Sequence, residues 1–209
     1  MAEVAAEHAA APFETALFPL RSVLFPGAQL PLKVFEARYL DLVGRCMREQ
    51  TSFGVVCLLQ GKDRQREGVR FEHHGVLARI DSVDAEQAGI LQVICTGTKR
   101  FSIEGEPRQQ VDGLWLADVR YQDDDEVLAP DAAYLPTVKA LANAIGALRA
   151  QGNTPFNEPF RFDDAGWVAN RWCEILPISL AAKQRLMMLP EPQVRLRLVD
   201  EYLRGKGVV

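Results

Sequence analysis

Ser179 and Lys183 stand four residues apart, one helical turn. A lysine so placed can activate a serine hydroxyl if it is buried and neutral. Ser179, however, follows Pro177-Ile178 and opens a helical stretch, where a hydroxyl oxygen caps the first turn. The cap is the simpler role and is the expectation. His73 and His74 are adjacent, so on a strand they face opposite sides and do not share one metal, and no third ligand is evident. The cysteines are Cys46, Cys57, Cys95 and Cys173. None forms a C-x-x-C pair and each has apolar neighbours, which points to buried thiols in a reducing compartment rather than zinc ligands. A pairing of Cys57 with His73 is singled out by nothing. The run Asp123-Asp124-Asp125-Glu126 lacks the alternating ligands and glycine of a calcium loop, and reads as a solvated linker between domains. The phosphate-cradling G-x-x-x-x-G-K-[ST] string, the G-x-G-x-x-G dinucleotide loop and the G-x-S-x-G nucleophile elbow do not occur in the sequence. The expectation is therefore a non-enzyme with no catalytic residue, no metal and no cofactor.

The elements that carry these residues change character near residue 125. Before it, β-branched and aromatic runs at 15–20, 29–35, 53–59, 75–83, 90–95, 99–104 and 114–121 predict short strands. Residues 53–59 are apolar throughout, as in a strand covered on both faces. In 114–121, Trp115, Ala117, Val119 and Tyr121 alternate with Asp118 and Arg120. Pro19, Pro26 and Pro31 belong at strand ends, edges or turns, because proline cannot donate to a ladder. A helix over 36–50 would present Tyr39, Leu40, Val43 and Met47 on one face. Residues 60–67 form a polar hairpin tip carrying Lys62, Arg64 and Arg66. After 125, Val138, Leu141, Ala142, Ile145 and Leu148 make a helix stripe that Pro136 opens and Gly152 ends. Asp163 or Asp164 caps a second helix with Val168, Trp172, Ile175 and Leu176. Ser179 caps a third, and Leu196, Val199 and Leu203 mark a fourth, flanked by exposed Arg197–Glu201 and Asp200–Arg204 pairs. The organisation expected is α+β: a tail at 1–12, a β-barrel subdomain at 13–125 and a helical bundle at 126–209.

The 209 residues carry a formal net charge of −4, so the overall field repels phosphate. A basic cluster at Lys62, Arg64, Arg66 and Arg70 leaves RNA binding as an alternative, opposed by that charge and by the lack of interleaved aromatics. The sequence contains no apolar run long enough to span a bilayer. The alanine-rich start has no Lys or Arg and does not resemble a secretory leader, so a cytoplasmic location is expected.

One stretch is more specific: Leu17-Phe18-Pro19-Leu20-Arg21, then Phe25-Pro26-Gly27, Leu30-Pro31-Leu32 and Phe35-Glu36-Ala37-Arg38-Tyr39. Later landmarks follow in order: Gly75-Val76-Leu77-Ala78-Arg79-Ile80, Gly97-Thr98-Lys99-Arg100-Phe101, Leu176-Pro177-Ile178-Ser179, Lys183-Gln184-Arg185-Leu186 and Arg195-Leu196. As a set they resemble the amino-terminal substrate-recognition domain of Lon proteases across about residues 13–203. The resemblance implies a PUA-like β-barrel followed by an α-helical bundle, and binding of unfolded or degron-bearing polypeptide. It does not carry over ATP hydrolysis or proteolysis, whose motifs are not in this sequence, and a stand-alone form of the domain is expected. Physically, Phe25-Pro26-Gly27 joins an aromatic anchor to a rigid turn, Gly97 suits a turn with positive φ, and Arg100 beside Phe101 sets an outward charge against an inward ring. Phe25, Pro26, Phe35 and Tyr39 are the candidate lining of a peptide groove between barrel and helices, with core packing as their other role. Unfolded polypeptides, a partner protein such as a Lon-type protease, or a second copy of the chain are the partners this implies. A peptide adding to a barrel edge is a further mode, and an unrecognised hydrolase using Ser179 and Lys183 is the remaining alternative.

Overall fold

The computed structural model describes residues 11–59 and 69–209. The polar hairpin tip and most of the amino-terminal tail lie outside the described residues. In chain order the elements are β1 (Phe13–Leu20), β2 (Gln29–Val34), α1 (Ala37–Glu49), β3 (Phe53–Leu58), β4 (Phe71–Gln87), β5 (Ile90–Gln109) and β6 (Trp115–Tyr121). A 3₁₀ turn at Ala132–Tyr134 leads into α2 (Leu135–Ala150), α3 (Ala165–Ile175), α4 (Leu180–Met188) and α5 (Pro192–Gly205). The chain is α+β.

The strands run in the order β2-β5-β4-β3-β1-β6, and β6 also pairs with β5. Strands β1, β3, β4, β5 and β6 thus close into a ring, which removes their open edges. β2 stays outside that ring, paired antiparallel with the first part of β5, from Gln29 opposite Thr96 to Val34 opposite Leu91. β1 and β3 are parallel. A parallel pair needs a crossover, and β2 with α1 supplies it.

Alternation along the ring strands sorts side chains into two cores. Leu17, Val56, Leu77, Phe101, Ile103 and Val119 fill the barrel interior. Ala16, Phe18, Val55, Val76, Ala78 and Cys95 face outward, yet they are buried beneath the helices, in one cluster with Leu42, Leu141, Trp172, Leu196 and Leu203. Being covered on both faces explains the unbroken apolar run of β3. The Phe101 ring occupies space that Gly54 and Gly75 leave free. A Cβ on Gly75 would lie 2.3 Å from the Val55 carbonyl oxygen and 2.6 Å from that ring.

The helices begin where cap chemistry places them. Asp164 accepts hydrogen bonds from the Gly166 and Trp167 N–H groups, and Ser179 Oγ accepts from Ala182 N–H at 3.2 Å. Gly152, at φ 77°, follows α2 in the left-handed region.

Several expectations change. The runs 90–95 and 99–104 are one strand, β5, because Gly97 is not a turn. It lies within the strand, and its lack of a side chain serves a close approach instead. A Cβ there would sit 2.4 Å from the Phe25 carbonyl oxygen. Its N–H donates to Ala28 O and its own carbonyl accepts from Gly27 N–H, both at 2.8 Å. The buried face of α1 is Tyr39, Leu42, Val43 and Cys46, while Met47 is exposed. The helix is rotated so that Cys46, rather than Met47, meets the sheet. Asp200 is buried, receiving the Thr137 hydroxyl at 2.5 Å as well as Arg204, so only the Arg204 side of that pair is exposed.

Candidate functional site at the junction of barrel and helices

The junction is built around three arginines. Arg171 of α3 is almost fully buried and donates to two carbonyls of the Phe25-Pro26-Gly27 turn, Pro26 O at 2.7 Å and Gly27 O at 2.6 Å. Gly27 has φ 76°, a conformation that favours glycine, so its carbonyl can turn toward α3. Phe25 itself is buried beneath this turn. Arg195 of α5 has no solvent exposure. Its guanidinium donates to Leu186 O, Leu189 O, Asn170 Oδ1 at 2.9 Å, and both oxygens of Asp125 at 2.5 and 3.1 Å. Arg100 of β5 reaches Asp125 from the other side at 2.7 Å, and donates to Met187 O, Leu189 O and Asp123 O.

Two sequence expectations are corrected here. Arg100 does point out of the barrel, but into the helical layer rather than into water. Asp125 is not a solvated linker residue; it is the shared counter-ion of two buried guanidiniums. Its neighbours Asp123, Asp124 and Glu126 remain exposed. A signal for Arg195 was available, since it shares a helical face with Leu196 and Val199. Asp125 had none, because adjacent aspartates look alike until the tertiary fold chooses one.

Clefts open on either side of the junction. One of about 330 Å³ is lined by Pro26, Gly27, Arg100, Asp125, Trp167 and Asn170, among others. A second, of about 210 Å³, has apolar walls that include Val23, Leu24, Leu30 and Phe156, with Glu174 and Lys183 also lining it. Glu174 Oε1 lies 2.5 Å from Arg171 Nη2. The geometry is not that of a hydrogen bond, and Oε1 and Arg171 Nε are buried without hydrogen-bond partners among the described residues. Burial pushes the Glu174 carboxyl up to about 7, against the opposing pull of Arg171 and Lys183.

The four candidate groove residues do not share one surface. Phe25 is in the core. Tyr39 is buried, stacked on Phe18 with ring centroids 4.0 Å apart. Pro26 is half-buried at the Arg171 clamp. Phe35, directly after β2, is 64% exposed.

The groups considered for chemistry are engaged otherwise. The Ser179 hydroxyl oxygen holds the α4 cap, and Lys183 Nζ donates to the Glu174 carbonyl at 2.8 Å. Burial pushes the Cys95 and Cys173 thiols up to about 12, so both stay protonated at neutral pH. Among the described residues, no three His, Cys, Asp or Glu side chains are grouped to hold a metal ion. No helix among them is long and apolar enough to cross a membrane.

A family model described as the ATP-dependent protease La (LON) substrate-binding domain matches residues 14–205. The chain belongs to that family. A crystal structure of a Lon N-terminal domain protein from Xanthomonas campestris is similar at 30% identity and TM-score 0.74, covering 91% of this chain and 98% of that one. The N-terminal domain of a Mycobacterium avium complex Lon protease shares the fold, at 16% identity and TM-score 0.62, covering 91% of this chain and 97% of that one. As a Lon substrate-binding domain, the chain is a substrate-binding module by family. Its landmark residues act as ties between the layers. Gln184 donates to His74 O at 2.9 Å, Arg100 and Arg195 share Asp125, and the Pro26-Gly27 carbonyls accept from Arg171.

Proposed function

We propose that this Lon substrate-binding domain binds polypeptide in an extended, unfolded state, as a non-catalytic module. One observation carries the reading: among the described residues, β2 has a single strand neighbour, β5, and no strand pairs with its other edge. An unpaired ladder edge offers main-chain donors and acceptors to any extended chain, whatever its sequence. A module that takes many unfolded substrates needs that tolerance. β4 also runs past its partner β3, but its register with β5 breaks between Ile80 and Ser82 and between Asp84 and Gln87. Bulges of that kind twist an edge away from further pairing. β2, by contrast, keeps six consecutive register pairs.

Of the four candidate residues, Phe35 and Pro26 are the ones a bound chain can reach, with Phe25 and Tyr39 supporting them from the core. An adaptor role toward a Lon-type protease, self-association through β2 and a cytoplasmic location belong to the same proposal. The test is fluorescence anisotropy with a labelled, permanently unfolded polypeptide and its folded counterpart. Preferential binding of the unfolded form, weakened several-fold by Phe35→Ser at unchanged thermal stability, is expected. Equal binding of the two forms would refute the reading.

A further inference from the structure

We infer that the cleft between the Pro26-Gly27 turn and α3 binds a proline-containing segment in the polyproline II conformation. The site is separate from the β2 edge and does not depend on chain addition there.

The cleft of about 330 Å³ is lined by the turn on one side and by α3 on the other. Its acceptors are already engaged. Asp125 receives Arg100 and Arg195, and Asp164 receives Arg161 and two N–H groups of its own helix. Lys99 pairs with Asp124 at 3.2 Å, and Arg171 holds the Pro26 and Gly27 carbonyls. Every charged side chain of the lining thus has an opposite partner, so a neutral guest fits better than an ion.

Two donors are left over. Asn170 is 4% exposed, and its Oδ1 accepts from Arg195 at 2.9 Å. A guanidinium has donors only, so the amide must give Arg195 its oxygen and keep its NH₂ for another partner. Trp167, one turn earlier on α3, is 9% exposed. Among the described residues, neither Asn170 Nδ2 nor Trp167 Nε1 makes a hydrogen bond, and neither atom is sealed from solvent. Both residues line the cleft. A guest carbonyl can satisfy each.

Spare donors beside engaged acceptors define that guest. An ordinary residue brings a carbonyl and an N–H, and the N–H needs a partner of its own. Proline brings the carbonyl alone. Its ring packs on apolar surface, which Pro26, Val127 and the Trp167 ring supply. A polyproline II helix has no internal hydrogen bonds, so its carbonyls stay free for outside donors. Residues three apart on an α-helix have Cβ atoms about 5–6 Å apart, and two residues of polyproline II rise about 6 Å, so Trp167 and Asn170 match carbonyls two positions apart.

The experiment titrates the full, isotope-labelled chain with blocked hexaproline, and with the same peptide carrying alanine at its two central positions. The Trp167 indole N–H and the Asn170 side-chain amide are followed by NMR. Both signals are expected to shift on adding hexaproline, with the Trp115 and Trp172 indole signals unmoved. Hexaproline is expected to bind about fivefold more tightly than the alanine form, which brings N–H groups that find no acceptor. Trp167→Phe keeps a ring and removes the donor, and is expected to weaken hexaproline about fivefold, the size of one hydrogen bond. Failure of hexaproline to bind at millimolar concentration, or binding that leaves both signals in place, would overturn the inference. So would equal affinity for the two peptides. Each of these results leaves the β2-edge reading standing, because hexaproline has no N–H to give a ladder. The two-peptide comparison needs no variant, so it decides the matter even if Trp167→Phe folds poorly.

Discussion

Replacing Arg195 with Met keeps an unbranched stem and removes its charge and its fork of donors. The structure sets the scale of the loss. Arg195 is fully buried and satisfies Asp125, Asn170 and the carbonyls of Leu186 and Leu189 at once. After the change, Asp125, 17% exposed at its side chain, keeps Arg100 as its one charged partner among the described residues. Breaking a buried pair from one side costs about 3–5 kcal/mol, because the remaining charge loses its compensation. That is a large part of the ~5–15 kcal/mol that holds a domain together. Urea unfolding followed by the fluorescence of Trp167 and Trp172, both in the helical layer, measures it directly. Arg195→Lys is expected to recover little, since a single ammonium cannot reproduce a guanidinium bonded in several directions. Combining Arg195→Met with Asp125→Asn is expected to cost less than the sum of the two changes, because they share one interaction. An Arg195→Met protein within about 1 kcal/mol of the parent, or strict additivity in the double variant, would refute the role assigned to the network.

Other expectations can be checked on the same material. Gly97→Ala places a methyl against the Phe25 carbonyl and should cost about 3 kcal/mol or more in urea unfolding, since backbone must move to admit it. Ser179→Ala should lower stability by about 1 kcal/mol, the worth of one helix cap, with peptide binding unchanged. Glu174 stays protonated in the folded chain up to about pH 7, whereas its ordinary value is 4.5. Between those values the folded state holds a proton that the unfolded state has lost. Its contribution therefore falls as pH rises through that window and levels off above it, by an amount of the order of 3 kcal/mol. A Glu174→Gln protein should show a flatter stability profile from pH 4.5 to 7, and an unchanged slope there would argue against a raised Glu174.

What the sequence determined by itself was local. The helix start at Ser179, and the one at Asp163 or Asp164, were readable because capping depends on a side chain and the two or three N–H groups after it, and the structure chose Asp164. The stripe Leu196, Val199, Leu203 and the unbroken run of β3 declared their burial, because periodicity reports which faces are covered. The Phe25-Pro26-Gly27 and Leu30-Pro31-Leu32 strings pointed to the Lon substrate-binding fold before any coordinate was known. The tertiary structure decided what depends on distant partners. Gly97 looks like a turn until the Phe25 carbonyl, 72 positions earlier in the chain, is seen pressed against it. Arg100 and Asp125 look solvated until two helices close over them, and Asp125 differs from Asp124 only in where the chain then passes. β2 has a place in the sheet, with one edge open, because β5 is long enough to pair with β2 at one end and β6 at the other. No local pattern encodes that arrangement: pairing between distant segments is settled by the packing of the whole chain, in which neighbouring residues have little say.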